Sequence, residues 1–364
     1  MPAAQPSLQS ATLPAFTVGG QLQSAMSRDA TLVRIEEDID GLSRLEAHFI
    51  AIGPAEAGES QRINWLDGRV LDFGKALSVG MGPSTARVDL FEGKVSALEL
   101  TLDAGRAPEV SCLAEDSLMD LRMTRRFKTY EQVSDADLVQ QIAAQHGLSA
   151  QADVDGPTYA MVQQWNQSDL AFLRERARRL GADVWVAQGT LHMASRDRRQ
   201  GPRLTLIQGN TLVQVTLSAD LAHQRSEVKV GGYDDDNADK IDEEATDSVV
   251  AAEAQGHTHA IDVLQRAFGA RPSHRVRDVP LKGEEARALA KAALLTRARR
   301  FVRAVGIADG NTELRVGTVL KLERVTPLFE GDGYYVTRVR HQFDLSNGYR
   351  THFEAERAWI GQGG

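Results

Sequence analysis

Residues 159–186 read YAMVQQWNQSDLAFLRERARRLGADVWV and decide how the middle of this chain folds. Ser168 is a good N-cap, Asp169 follows it at the positive end of the helix dipole, and Gly181 suits the helix end. The apolar side chains between the two ends repeat at helical spacing: Leu170, Leu173, Ala177 and Leu180. Residues 184–187 and 190–194 then read as two strands around a Gln-Gly turn. The stretch therefore predicts a helix followed by a β-hairpin.

A second helix is predicted upstream of this stretch. Ser134 is placed to cap it, Asp135 and Asp137 lie in its first turn, and Gly147 follows its end. Its apolar stripe consists of Leu138, Ile142 and Ala143. The two helices and the hairpin form a small α/β unit, to which we assign residues 111–200.

Both flanks of this unit are rich in short predicted strands. Before residue 110, apolar and polar side chains alternate in short runs that Gly-rich turns separate. After residue 200, strands are expected at 203–207, 212–217, 226–230, 319–322, 334–343 and 349–355. Closely spaced strands with turn signals are typical of a barrel or sandwich. The predicted fold is β-rich α+β, with two related, tube-like β-barrel domains at 1–110 and 201–364 and the α/β domain inserted between them.

The second β-rich segment has an interruption. An acidic insertion covers about residues 231–282, and a helix is predicted at 284–305. Residues 234–247 combine low hydrophobicity with clustered like charges, so they bury too little apolar surface to order themselves alone. We expect an exposed, mobile insertion here.

Composition excludes several classes of protein. The chain has 364 residues and a net charge of −8, which argues against the clustered basic face of a nucleic-acid binder and against docking on an anionic membrane. Its single cysteine, Cys112, permits no intramolecular disulfide. Neither a signal peptide nor an apolar run of membrane-spanning length is evident. We therefore expect a protein that folds in the bacterial cytoplasm.

Two stretches resemble a known family. The first is residues 159–186, where an aromatic residue and glutamine precede a Ser-Asp-Leu helix start, a Phe-Leu-x-x-Arg helix, a glycine and an aromatic strand. The second is residues 314–359, with LRVG at 314–317, GYYV at 333–336 and YRT at 349–351. Phe127 and the helix end at residues 145–148 add to the pattern. These features resemble the hub family of phage late-control D proteins, VgrG heads and T4-type baseplate hubs.

The resemblance implies a function without catalysis. Hubs of this family are trimers in which two barrel domains per subunit face the hexameric inner tube, above the membrane-puncturing spike. Because this sequence lacks the OB domain and β-helix of VgrG chains, it is similar to hub-only members whose spike is a separate polypeptide. The implied partners are two further copies, the tube protein, the spike, a tape-measure protein and other baseplate subunits. The implied location is a virion tail or injection particle.

Few residues suggest chemistry. His257, His259 and Asp262 offer metal-ligand atoms, but no third histidine lies at a usual spacing, so a structural role is favoured. Residues 234–239 resemble a calcium loop superficially, yet Lys240 replaces its glycine and Thr246 its final glutamate. Cys112 has no nucleophile context, and the arginines of residues 174–179 are read as a solvated helix face or intersubunit ion pairs. We predict no catalytic, cofactor-binding or metal-binding residues and no cofactor.

Two other functions compete with the hub. One is a peptidoglycan or metal-dependent hydrolase associated with a tail, which would use carboxylates or His257 and His259. The other is the tail-tube subunit, which shares the barrel fold but is shorter and lacks an inserted α/β unit. The absence of Walker, dinucleotide-binding and nucleophile-elbow motifs favours the structural hub.

Overall fold

The computed structural model describes residues 13–53, 62–83, 86–199, 201–275, 280 and 282–361. Its N-terminal β-rich part contains one short helix, α1 (Ser24–Asp29). The strands of this part are β1 (Ala15–Val18), β2 (Gln21–Leu22), β3 (Ala30–Asp38), β4 (Arg44–Ile50), β5 (Ile52–Gly53), β6 (Arg62–Ile63), β7 (Ala76–Met81), β8 (Val88–Thr101) and β9 (Glu109–Glu115).

The remaining elements follow in two groups. The middle of the chain contains α2 (Leu118–Met123), β10 (Arg125–Val133), α3 (Asp135–Gln145), β11 (Ser149–Asp153), β12 (Tyr159–Ser168), α4 (Asp169–Leu180), β13 (Ala182–Ala187) and β14 (Thr190–Ser195). The C-terminal part contains β15 (Arg203–Ile207), β16 (Leu212–Ala219), β17 (Glu227–Asp234), β18 (Asp239–Ala245), α5 (Asp247–Ala254), α6 (Ala260–Phe268), β19 (Pro272–Arg275), α7 (Gly283–Arg299), β20 (Val302–Asp309), β21 (Val319–Glu323), β22 (Gly331–Asp344) and β23 (Gly348–Arg357).

One thirteen-stranded sheet connects the two ends of the described chain. Its order is β16-β20-β23-β22-β3-β4-β9-β8-β7-β1-β2, with β21 paired to β22 and β15 to β21. The junction is the antiparallel pair β3–β22, in which Ile35 lies opposite His341. Along both strands alternate side chains are buried, including Val33 and Val339. The protein is therefore β-rich, as predicted.

The strand topology does not show the two separate β-barrels that the sequence predicts at 1–110 and 201–364. Among the described residues, no strand pairing closes either half into a barrel. The halves also share a core, because Phe343 and Tyr349 from the C-terminal part pack with the buried residues of the N-terminal part, including Phe16 and Phe49. The two β-rich segments are joined through one sheet.

The predicted helices and hairpin of the α/β unit are confirmed. Ser134 accepts a hydrogen bond from the Asp137 amide, and the Asp137 carboxylate accepts one from the Ser134 amide, which completes a capping box for α3. Ser168 caps α4 by accepting a hydrogen bond from the Ala171 amide, and Gly181 ends the helix in the left-handed conformation. β13 and β14 form the predicted hairpin, and β11 joins it. Short-range capping therefore fixes both helices.

The helix predicted at residues 284–305 is shorter than expected. α7 ends at Arg299, and β20 begins at Val302. Val302 and Ala304 are buried while Arg303 and Val305 face outward, an alternation that fits pairing with β16 and β23 on either side. Tertiary pairing overrides the continued helical pattern.

The acidic insertion differs more from its prediction. Residues 227–245 form the β17–β18 hairpin, β19 adds a parallel strand to it, and α7 packs against both hairpin strands. Ile241 and Ala245 of β18 are buried, as are Val228 and Val230 of β17, and Val228 lies opposite Ala245. Three acidic side chains of β18 lie between its two buried positions. Alternation places the apolar minority on one face, so the stretch is an ordered hairpin with a charged outer face.

The α/β unit contacts the large sheet where β3 turns into β4. Gly41 lies in this turn at φ +91°, and a Cβ atom there would lie 1.7 Å from the Val184 carbonyl oxygen of β13. Only glycine fits such an approach. The contact brings Asp40 to the end of α4, where it meets Arg178.

Candidate assembly surfaces

The β10–β12 ribbon carries an exposed aromatic pair. Phe127 on β10 lies opposite Trp165 on β12, and the two side chains are 78% and 68% exposed. Met161 lies on the same ribbon face and is 56% exposed. Large apolar side chains grouped on one exposed face indicate a protein contact surface. Sequence reasoning noted Phe127 and Trp165 within motifs but did not recognise that they form a surface.

The other face of the ribbon is held by a buried carboxylate. Asp169, at the start of α4, is fully buried and accepts hydrogen bonds from Arg126 Nε at 3.0 Å, His146 Nε2 at 2.8 Å and Gln164 Nε2 at 2.8 Å. These donors come from β10, the end of α3 and β12. Asp169 therefore ties four elements together and orients the ribbon, a role beyond the dipole contact predicted from sequence.

The solvent-facing side of the large sheet is covered by ion pairs between neighbouring strands. Glu36 lies 3.2 Å from Arg338 and 3.7 Å from Arg340, and Glu354 pairs with both Arg338 and Arg303. These contacts link β3, β22, β23 and β20. Charges of both signs alternate, so this face carries no single-sign field.

A cleft of about 780 Å³ separates α4 from α7. Eight arginines and three carboxylate residues line it. α4 supplies Arg174, Arg178 and Arg179, the end of α7 supplies Arg297 and Arg299, and Arg300 follows directly after α7. Three of the four α4 arginines that sequence reasoning assigned to solvent or to another subunit therefore face this cleft, whereas Arg176 is buried and pairs with Asp135 at 2.6 Å. Arg275 and the α7 arginines were missed, because only the fold brings them to α4.

The candidate metal ligands serve local structure. His259 is buried and caps α6, with its Nδ1 accepting from the Asp262 amide at 3.4 Å. The His257 ring stacks on Trp359 with centroids 5.7 Å apart. Within the described ranges, no group of three or more His, Cys, Asp or Glu side chains is placed to hold a metal ion. The arrangement supports the structural reading of these histidines.

The other candidate residues also have structural surroundings. Asp234 accepts hydrogen bonds from the backbone amides of Asp236 and Asn237 and so closes the turn between β17 and β18. Cys112 is fully buried in the N-terminal core, and burial raises the pKa of its thiol to about 12. A buried thiol with a high pKa is a poor nucleophile.

Several solved structures share this fold over nearly the whole chain. The prophage MuSo2 43 kDa tail protein from Shewanella oneidensis is 13% identical with a TM-score of 0.71, and the match covers 96% of this chain and 99% of that one. A tail protein from Neisseria meningitidis is 13% identical with a TM-score of 0.68, covering 96% and 98%. An E. coli type VI secretion component, described as structurally similar to T4 tail proteins, is 11% identical with a TM-score of 0.56, covering 92% and 76%. The chain has the fold of phage tail proteins.

A family model adds a second finding. The chain belongs to the family described as the Alg8 N-terminal domain, whose model matches residues 30–344. No curated protein matches the chain. In the part of the chain that the structure describes, no helix has the length and apolarity needed to cross a membrane. The solved tail-protein structures confirm the predicted relationship to tail proteins at the level of the fold.

Proposed function

We propose that this chain is a structural component of a phage tail or a tail-like injection machine and that it forms the baseplate hub. The observation that carries the proposal is the fold likeness to a prophage tail protein, which extends over 96% of this chain and 99% of that one. An additional catalytic domain would leave part of the chain unmatched. The exposed aromatic ribbon supports a role that depends on protein contacts.

The finer proposal is a trimeric adaptor between the hexameric inner tube and a separate trimeric spike. A three-fold ring meets a six-fold ring well when each subunit offers two similar surfaces. The two β-rich segments, at 1–110 and 201–364, are proposed to supply these surfaces as related barrel-like domains, with the α/β domain at 111–200 between them. Motifs at residues 159–186 and 314–359 support this assignment to the late-control D, VgrG-head and T4-type hub family.

The remaining parts of the proposal concern chemistry and location. The hub acts without catalysis or cofactor, and its partners are the tube protein, the spike, the tape-measure protein and other baseplate subunits. It folds in the bacterial cytoplasm and then becomes part of a virion or injection particle. The structural roles of His257, His259 and Cys112 favour this function over a tail-associated hydrolase.

Light scattering of the full chain tests the adaptor. We expect the mass of a complex that contains three copies of this chain when the chain is mixed with a tube protein and a spike protein, because closed rings pair where equivalent patches meet. Electron microscopy of the mixture should show a three-fold ring on the tube end. A chain that stays monomeric with both partners present contradicts the proposal.

A second measurement addresses the aromatic ribbon. The double substitution Phe127→Ser and Trp165→Ser is expected to reduce co-purification with the assembled particle by about tenfold, because it removes the apolar contact area of one exposed face. The matched control is Phe73→Ser with Phe268→Ser, which removes two side chains that are 66% and 59% exposed elsewhere. Equal losses in both variants would show that the ribbon has no special role.

A further inference from the structure

The cleft between α4 and α7 holds more positive charge than its own carboxylates neutralise. Eight arginines line it, against Asp40, Glu175 and Asp183. This local excess contrasts with the chain's net charge of −8. The walls approach closely where Gly181 meets Ala292, since a Cβ atom at Gly181 would lie 3.4 Å from the Ala292 Cβ. The cleft is therefore a defined cationic space.

Part of this charge is fixed within the fold. Arg179 lies 2.9 Å from Glu285, and Arg299 lies 2.8 Å from Glu253. Arg196 lies 3.0 Å from Glu356, and both of these side chains are largely buried. Such sheltered pairs hold their geometry, since breaking one leaves a desolvated charge. These arginines form the walls of the cleft.

Three other arginines are available to a ligand. Among the described residues, Arg297 has no carboxylate partner. Burial and, to a smaller extent, the nearby guanidinium groups of Arg225 and Arg275 lower its pKa. Arg178 is 69% exposed and pairs with the exposed Asp40, while Arg300 is 60% exposed and lies 3.6 Å from Glu356. The Arg178–Asp40 pair is exposed, so it contributes little and is readily exchanged, and Arg300 shares Glu356 with Arg196, which lies nearer to that carboxylate. An anion in the cleft would gain these contacts and reduce repulsion between the arginines.

We propose that this cleft binds an acidic segment of a partner protein, with Arg178, Arg297 and Arg300 contacting its carboxylates. The guanidinium group is planar and presents paired donors that match a carboxylate, and its charge persists at all physiological pH values. The confined cleft on an otherwise acidic chain favours a short peptide over nucleic acid, which needs an extended basic face. The identification of the ligand as a protein segment rests on the proposed role in assembly. The presence of a cationic cleft does not depend on that role.

Fluorescence anisotropy with the isolated full chain tests the site. The probe is a fluorescein-labelled octaglutamate peptide, with octaglutamine and a labelled oligothymidylate as comparisons, at low and moderate salt. The triple substitution Arg178→Ser, Arg297→Ser and Arg300→Ser is expected to weaken octaglutamate binding at least about tenfold, or about 1.4 kcal/mol, because it removes three charge-assisted contacts. Octaglutamine should not bind.

The matched control also removes three arginines, so it changes the net charge by the same amount, but all three lie outside the cleft. Arg28, Arg69 and Arg106 are 75%, 74% and 82% exposed, and their triple substitution by serine should weaken binding less than about twofold. Equal weakening by the two triple variants would overturn the proposal, as would tighter binding of the oligothymidylate. Circular dichroism confirms that each variant is folded. Because the isolated chain is used, a failure of the hub proposal to give a trimer leaves this outcome unaffected.

Discussion

Replacing Asp169 with alanine is expected to lower the free energy of unfolding of the α/β unit by about 3–5 kcal/mol, the cost of removing one partner from a buried charged network. The side chain is fully buried, and Arg126, His146 and Gln164 all direct donors at its carboxylate. The substitution leaves the Arg126 cation and a histidine without their acceptor. Urea unfolding, followed through tryptophan fluorescence, measures the loss.

The control for this substitution is another carboxylate of the same unit. Asp155 is 87% exposed and pairs with Arg198 at 2.7 Å, so Asp155→Ala should change the free energy of unfolding by less than about 1 kcal/mol. A loss below about 1 kcal/mol for Asp169→Ala would show that the network does not hold the ribbon to α4. The isosteric Asp169→Asn separates charge from shape, since it keeps the volume but removes the anion.

Local chemistry made the α/β unit predictable from sequence. Ser134 and Ser168 are caps whose partners lie three residues away, so the sequence itself contains both ends of each contact. Gly181 gives the corresponding signal at the helix end. Asp169 was recognised only as a dipole partner, because Arg126 and His146 reach it from elements 43 and 23 residues away in the chain. The distant half of the network has no local signature.

Two further features depend on long-range pairing. The β3–β22 junction joins strands about 300 residues apart, and nothing in residues 30–38 marks which distant strand will pair with them. The average acidity of residues 234–247 conceals the position of Ile241 and Ala245 on one face of a strand. The arginine cleft likewise needs α4, β19 and α7 to be placed together. Composition predicts solvation well but does not predict which minority of side chains is buried.

A buried histidine at the β3–β22 junction makes stability depend on pH. His341 is fully buried, and its Nδ1 lies 2.8 Å from the Tyr349 hydroxyl. Burial and the nearby Arg315 guanidinium lower its pKa from 6.5 to about 3, although Glu37, which pairs with Arg315, opposes the shift. A protonated imidazole is therefore tolerated in the unfolded chain but not in the folded one.

Acidification is expected to destabilise the fold through this group. Because the folded pKa lies below the unfolded value, the contribution of His341 is complete above pH 6.5 and is lost as the pH falls toward 3. Each pH unit in this window lowers the free energy of unfolding by about 1.4 kcal/mol, or about 2 kcal/mol between pH 6.5 and 5. Denaturant unfolding of the original chain and of His341→Gln across these pH values measures the difference in slope.

Comparing the two chains isolates this one titration. Asp116 acts with the opposite sign, because burial raises the pKa of its carboxyl to about 7, and its stabilising effect therefore fades as the pH rises from 3.8 toward 7. Asp116 is present in both chains, so its contribution cancels in the difference. The exposed His223, replaced by glutamine, is the matched control and should leave the slope unchanged. If His341→Gln has the same pH slope as the original chain between pH 6.5 and 5, the buried imidazole is not the source of acid sensitivity.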